Sequence, residues 1–204
     1  QSLSLVQQHL QQTIDRAVEQ QQTQPINSQV WSVGCSTGEE VFSLAMLLSE
    51  LDISELQRQK RDFYFGVTGV DISFPALAQA REATFHRRRL GNVPTANLMK
   101  YFDRLPDDYY QINAGLRQRT CFIQGNIKEL ASMPRHSYDV IYCQNVLIYF
   151  QPDQRAAVVD QFIERLAPGG LLVLGPGELN NLDNSLVERV SSKNCQAYVR
   201  LATE

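Results

Sequence analysis

Four short segments hold the residues whose types and spacing could do chemistry in this 204-residue chain. The first is SVGCSTGEE, Ser32 to Glu40. Gly34 and Gly38 let the backbone turn sharply and come close to a ligand. A phosphate site here would carry GxGxxG or GxxxxGK(S/T), and neither is present. Glu39 and Glu40 would repel a phosphate and suit a ligand with positive charge. They would serve equally well as first-turn complements to a helix dipole. The second segment ends FYFGVTGVD at Asp71. A carboxylate there can accept from both hydroxyls of a ribose, or simply cap the next helix. The third is QGNI, where Asn126 offers a donor and an acceptor together, the pattern of an adenine edge, and is also a common turn residue. The fourth is QNVLIYF, with Gln144, Asn145 and Tyr149; a tyrosine at such a place as readily packs in a core.

The elements that position these segments alternate. Leu3, Val6, Leu10, Ile14 and Val18 recur at three- and four-residue steps in a Gln-rich opening, an amphipathic helix or else a low-complexity linker. Pro25 lies beyond its end. Gln29–Val33, Phe63–Asp71, Thr120–Ile123, Tyr138–Cys143 and Gly170–Leu174 read as strands. Gly38–Leu51, Phe74–Phe85 (capped by Ser73, Pro75 in its first turn) and Pro152–Leu166 read as helices. Val187–Val190 and Ala197–Leu201 read as a closing antiparallel hairpin at the sheet edge. Strands separated by helices imply an α/β fold, a mostly parallel sheet covered on both faces. Ligands in such sheets sit beyond the carboxyl ends of the strands, where all four segments fall. His86 to Arg119 breaks the alternation. It is too long for a plain connection and carries a net +4, against about −7 for the rest, so it reads as a small inserted subdomain.

Composition sets bounds. Apolar residues at 43% and charged residues at 20% are ordinary for a globular domain. A net charge of −3 argues against a general nucleic-acid binder. No apolar run reaches membrane-span length, which argues against direct membrane insertion. The three histidines are scattered, so no metal site is expected. Three of the four cysteines lie in apolar runs that read as strands, where a free thiol is a small buried hydrophobe; a reduced, cytoplasmic compartment is the natural reading. The chain begins with Gln1, not Met, and reads as a fragment.

Taken together, the segments resemble the CheR family of chemotaxis receptor methyltransferases. The resemblance rests on WSVGCSTGEEVFSLAM, GVDISFPALAQARE, YFDR, GNI, YDVIYCQNVLIYF and LAPGGLLVLGPGE, in order from about Val30 to Leu201. It implies a seven-stranded S-adenosylmethionine-dependent methyltransferase (Rossmann-like) sheet with an antiparallel C-terminal strand and a small β-subdomain inserted at about 86–119. Residues 25–204 would form that domain and residues 1–24 a linker helix. The cofactor would be S-adenosylmethionine and the product S-adenosylhomocysteine. By this likeness Gly34 lies in the cofactor loop, Glu39 holds the methionine amino group, Asp71 takes the ribose, and Asn126 with Ile127 contacts the adenine. Gln144 and Asn145 line the methionine side, and Tyr149 points toward the transferred methyl. The acceptor would be a glutamate of a methyl-accepting chemotaxis-type receptor.

Three departures stand out. Gln144 replaces a usual Arg, Gly175-Pro176-Gly177-Glu178 replaces a usual HSE loop, and the chain starts where an upstream TxFFR-like motif would just have ended. The first two point to a branch similar to PilK, serving twitching motility. The receptor carboxylate is ionised at neutral pH, so the expected displacement needs no general base. Arg87, Arg88 and Arg89 would steer glutamate-rich receptor helices. A non-catalytic module that senses S-adenosylmethionine or S-adenosylhomocysteine is the alternative from another class. An RNA or small-molecule methyltransferase is disfavoured by the acidic charge, and a nicotinamide dehydrogenase by the missing GxGxxG. A monomer is the default.

Overall fold

A computed structural model describes residues 2–132, 136–179, 181–192 and 194–202. The chain opens with α1 (Ser2–Glu19), whose Val6, Leu10, Ile14 and Ala17 are buried while its glutamines face outward. Strand β1 (Ile26–Val33) begins earlier than the apolar run QVWSV suggests, because Ile26 to Gln29 already pair with the next strand. Then come α2 (Glu39–Ser49), α3 (Ser54–Arg58), β2 (Phe63–Asp71) and α4 (Phe74–Glu82). The Ser73 hydroxyl caps α4 by accepting from the Ala76 N–H, as expected, and a proline sits in its first turn. The helix stops before the expected Phe85. Ala83 turns into the left-handed region (φ 54°), and Thr84–His86 becomes strand β3.

The irregular stretch then forms α5 (Thr95–Tyr101), β4 (Phe102–Arg104), β5 (Tyr109–Ile112) and α6 (Ala114–Arg117). Strands β3, β5 and β4 make a separate antiparallel sheet in that order. The main sheet resumes with β6 (Thr120–Gln124) and β7 (Tyr138–Cys143). It continues through α7 (Pro152–Arg165) and β8 (Leu166–Leu174) to β9 (Val187–Val190) and β10 (Gln196–Arg200).

The main sheet has seven strands in the order β6-β2-β1-β7-β8-β10-β9. The first five are parallel, and β10 runs antiparallel to both neighbours. The closing pair is antiparallel as the sequence suggests, but β10 inserts between β8 and β9, so β9 takes the edge. Strand β8 starts at Leu166, and its pairing with β7 slips between Tyr138 and Val140 before resuming at Leu171. Gly169 (φ 78°) and Gly170 permit the slip; a Cβ on Gly170 would lie 2.9 Å from the carbonyls of Ala167 and Tyr138.

Alternation along the strands builds two cores. Val30, Val67, Val140, Tyr142, Leu171 and Val173 face α1, α2 and the small sheet. Trp31, Val33, Val70, Ile141, Cys143, Leu172 and Leu174 face Val158, Val159, Phe162 and Ile163 of α7. Helix α1 is therefore part of the first core rather than a loose tether, and Arg61 fastens its far end by donating to the carbonyls of Ala17 and Gln24. Cys35, Cys143 and Cys195 are buried, but Cys121 is exposed because β6 is the outer strand of the sheet. Cys35 lies in the loop after β1, not in a strand. Among the described residues no helix is long and apolar enough to cross a membrane. Leu10 is 1% exposed. Leu10→Ala is expected to lower the unfolding free energy by about 2–5 kcal/mol in a denaturant melt. A loss below about 1 kcal/mol would show that α1 adds little to the core.

Candidate cofactor cleft

Strand β1 lies between β2 and β7, and the chain leaves it first toward β2 and β6 and later toward β7 and β8. That reversal opens a crevice at the carboxyl ends of β1 and β7, the place where parallel sheets hold ligands. A cleft of about 500 Å³ occupies it. Its walls come from four strand ends: Gly34 after β1; Val70, Asp71 and Ile72 from β2; Gly125 to Lys128 after β6; and Asn145, Val146, Tyr149 and Phe150 after β7.

Gly34 is left-handed (φ +71°), and a Cβ on it would lie 2.4 Å from a methyl of Val146. Both the turn and the close approach of the two loops therefore require glycine. Asp71 lies in the cleft wall and braces two loops, while Ser73 is the residue that caps α4. Its Oδ1 accepts from the Ser73 N–H at 2.8 Å, bracing the entry to α4, and its Oδ2 accepts from the Ser36 N–H at 2.8 Å. Carboxylate oxygens keep further lone pairs for a ligand after one amide each. The Asn126 side chain is also committed locally: it donates to Glu129 and accepts from the Lys128 N–H, both at 3.0 Å. The turn reading of Asn126 holds alongside its place in the cleft. Ile127 is buried and offers an apolar wall for a flat ring. Asn145 takes φ 60°, and Tyr149 is 82% exposed at the mouth, not a core residue.

Two of the expected residues lie outside the lining. Glu39 begins α2 and pairs with Arg89 of the inserted segment, while the Thr37 hydroxyl donates to it at 2.6 Å. Gln144 is half-buried just before the lining begins.

Three residues outside the expected site set shape this region: Arg155, which nothing in the sequence singled out, and Glu40 and Glu178, which the sequence marked without these roles. Glu178, 1% exposed, receives the N–H groups of Val146, Leu147 and Gly175 at 2.7, 2.9 and 2.6 Å. Arg155 donates to the carbonyls of Phe150, Ile148 and Glu178. Glu40 accepts from the Ser32 hydroxyl at 2.6 Å. Burial, reinforced by the charge of Glu178, pushes the Glu40 carboxyl up to about 7 against the Ser32 bond. The only sequence signal for Glu178 was an acid following a glycine-rich turn after a buried strand.

The Glu40 shift has a pH consequence. The folded state holds this proton more tightly than the unfolded state. Its contribution is therefore fully present below the unfolded value of 4.5 and lost as pH rises toward about 7. Glu40→Gln keeps an acceptor for Ser32 and removes the ionisation. The variant is expected to gain stability relative to the parent between pH 4.5 and 7.5, on the order of 1–3 kcal/mol. Parallel stability–pH curves for the two proteins would refute this.

Comparison with known proteins agrees with the geometry. The family described as CheR methyltransferase, SAM binding domain, matches residues 4–196. The chain is 35% identical over 150 residues to Chemotaxis protein methyltransferase 2 of Vibrio cholerae, covering 73% of this chain and 50% of that protein. It is 31% identical over 149 residues to the Chemotaxis protein methyltransferase of Borreliella burgdorferi, covering 73% and 51%. The chain thus spans about half the length of these relatives. A TehB-like SAM-dependent methyltransferase from Corynebacterium glutamicum superposes with a TM-score of 0.50 at 12% identity, over 93% of this chain and 87% of that one, a likeness of fold. The sheet order, the cleft at its reversal and a family match over nearly the whole length agree: the chain belongs to the CheR methyltransferase family, in its SAM-binding domain.

Proposed function

We propose that this domain binds S-adenosylmethionine and, in the full-length protein, transfers its methyl group to glutamate side chains of methyl-accepting chemotaxis-type receptors. The products are glutamate methyl esters and S-adenosylhomocysteine. The observation that carries this reading is the meeting of Gly34, Asp71, Asn126, Ile127, Asn145 and Tyr149 in one cleft at the sheet reversal. These residues suit a nucleoside joined to a cationic amino acid: a glycine without a Cβ for close approach, a carboxylate with free lone pairs, an apolar wall, and acids nearby instead of a phosphate loop.

In this reading Asp71 holds the ribose hydroxyls, while Asn126 and Ile127 flank the adenine. Gln144 and Asn145 lie on the methionine side. Glu39 reaches the ammonium by exchanging Arg89 for it. The cofactor supplies an electrophilic methyl on a sulfonium. The acceptor carboxylate, with a reference pKa of about 4.3, is already ionised, so no residue of the chain has to remove a proton. Alignment and exclusion of water remain as the domain's contribution, with Tyr149 at the open mouth shaping the path of the acceptor.

Residues 25–204 form the methyltransferase unit in this reading, with about 86–119 inserted and residues 1–24 leading into it. The insertion docks the receptor through Arg87, Arg88 and Arg89. The Gly175–Glu178 turn and Gln144 favour the PilK-like branch and twitching motility. A cytoplasmic monomer fits the surface charge and the free thiols.

Calorimetry with S-adenosylhomocysteine tests the site. The parent should bind in the micromolar range, and Asp71→Ala should weaken binding about tenfold or more, the scale of losing a charged hydrogen-bond acceptor. Undiminished binding would remove Asp71 from the site. Arg89 also pairs with Glu39, so docking is better tested at its neighbours. Arg87→Glu with Arg88→Glu should lower receptor methylation while cofactor binding is kept. Unchanged receptor methylation would end the docking role.

A further inference from the structure

We infer that Glu178 is a positioning residue for methyl transfer: it holds the Asn145–Phe150 turn and so sets where Tyr149 meets the acceptor. This rests on the proposed methyltransferase reading. Tyr149 is 82% exposed, so its own packing does little to place it. Its position is inherited from the backbone beneath.

That backbone is held from two sides. From within, one oxygen of Glu178 accepts the N–H groups of both Val146 and Leu147, and the other accepts the N–H of Gly175. The carboxylate thereby ties the turn after β7 to the turn after β8. Gly175 must lack a side chain for this, since a Cβ would lie 2.7 Å from the Glu178 oxygen. From the other side, the Arg155 guanidinium gathers the carbonyls of Ile148, Phe150 and Glu178 at 3.3, 2.9 and 3.1 Å. Two backbone bonds carry the anchoring forward: Tyr149 N–H to the Val146 carbonyl at 3.2 Å, and Phe150 N–H to the Leu147 carbonyl at 3.0 Å. The residues bonded to Glu178 are thus the ones from which Tyr149 hangs.

The walls assigned to ribose and adenine make no hydrogen bond to this carboxylate, which reaches the cofactor side only through Asn145 and the Val146 contact with Gly34. Gly34, Asp71, Gly125, Asn126 and Ile127 come from the ends of β1, β2 and β6. Loss of the Glu178 anchor should therefore reach the acceptor step more than cofactor affinity.

The test is Glu178→Gln. It keeps the volume, but its amide turns a donor toward one of the N–H groups. In the full-length protein, kcat for methyl transfer to receptor should fall on the order of 10- to 100-fold, the scale of a misplaced reacting group. The Kd for S-adenosylhomocysteine should change by less than about threefold. Hydrogen exchange at the Val146 and Leu147 amides should quicken in the same protein without ligand. A kcat within about threefold of the parent, or kcat and affinity falling in parallel, would overturn the inference. Should Glu178→Gln fail to fold, Arg155→Lys, at a half-buried surface position, loosens the same turn and should give the same split. If the parent binds S-adenosylhomocysteine yet methylates no receptor, the proposed reaction falls, while the amide exchange still decides whether Glu178 holds the turn.

Discussion

The molecule depends on one constraint: β1 must pair in parallel with β2 on one side and β7 on the other. Residues Val30 to Val33 satisfy both partners at once. Because the crossovers then run in opposite directions, the loops after β1 and β7 diverge over the sheet and leave a crevice between them. The Gly34–Val146 approach sets how closely they meet at its base. Every other wall of the cleft is added to that pair. The two cores serve the same end, since strands buried on both faces hold their carboxyl ends in register. Helix α1 contributes by completing the first core.

Much of this was legible in the sequence. Glycine, aspartate and asparagine placed just after apolar runs marked four strand ends, and β2, β7 and β9 fall where the runs predict. What escaped was long-range. Nothing local to Ile26–Ser28 marks it as strand; it becomes one because Phe63 to Phe65 lie alongside. Thr84–His86 carries on from a helical pattern and is strand only because Tyr109 to Gln111 pair with it. Glu39 reads as a cofactor ligand from its loop, yet its partner Arg89 is fifty residues away. Glu178 is the extreme case. A carboxylate satisfied by backbone N–H groups has no complementary side chain whose type could announce it.

Two carboxylates near the cleft are held by uncharged donors. Glu40 and Glu178 lie near enough to interact, and among the described residues neither has an ion-pair partner. The two carboxylates resolve the conflict differently. Glu178 accepts three backbone N–H groups. Glu40 has only the Ser32 hydroxyl, and burial holds its proton to about pH 7.

This division bears on what the cleft can accept. The lining carries one acid, Asp71, and one cation, Lys128, whose ammonium lies over the Phe150 ring at 5.1 Å, while Glu39 and Glu178 stand outside it. A phosphate-bearing cofactor would meet carboxylates where it needs amides, since the N–H groups of Ser36, Val146 and Gly175 are already taken up by acids. The same amides that could have formed an anion nest are spent on fixing the loops. A cleft built this way gains its rigid walls from a single set of hydrogen bonds that also leaves few free amides for an anion.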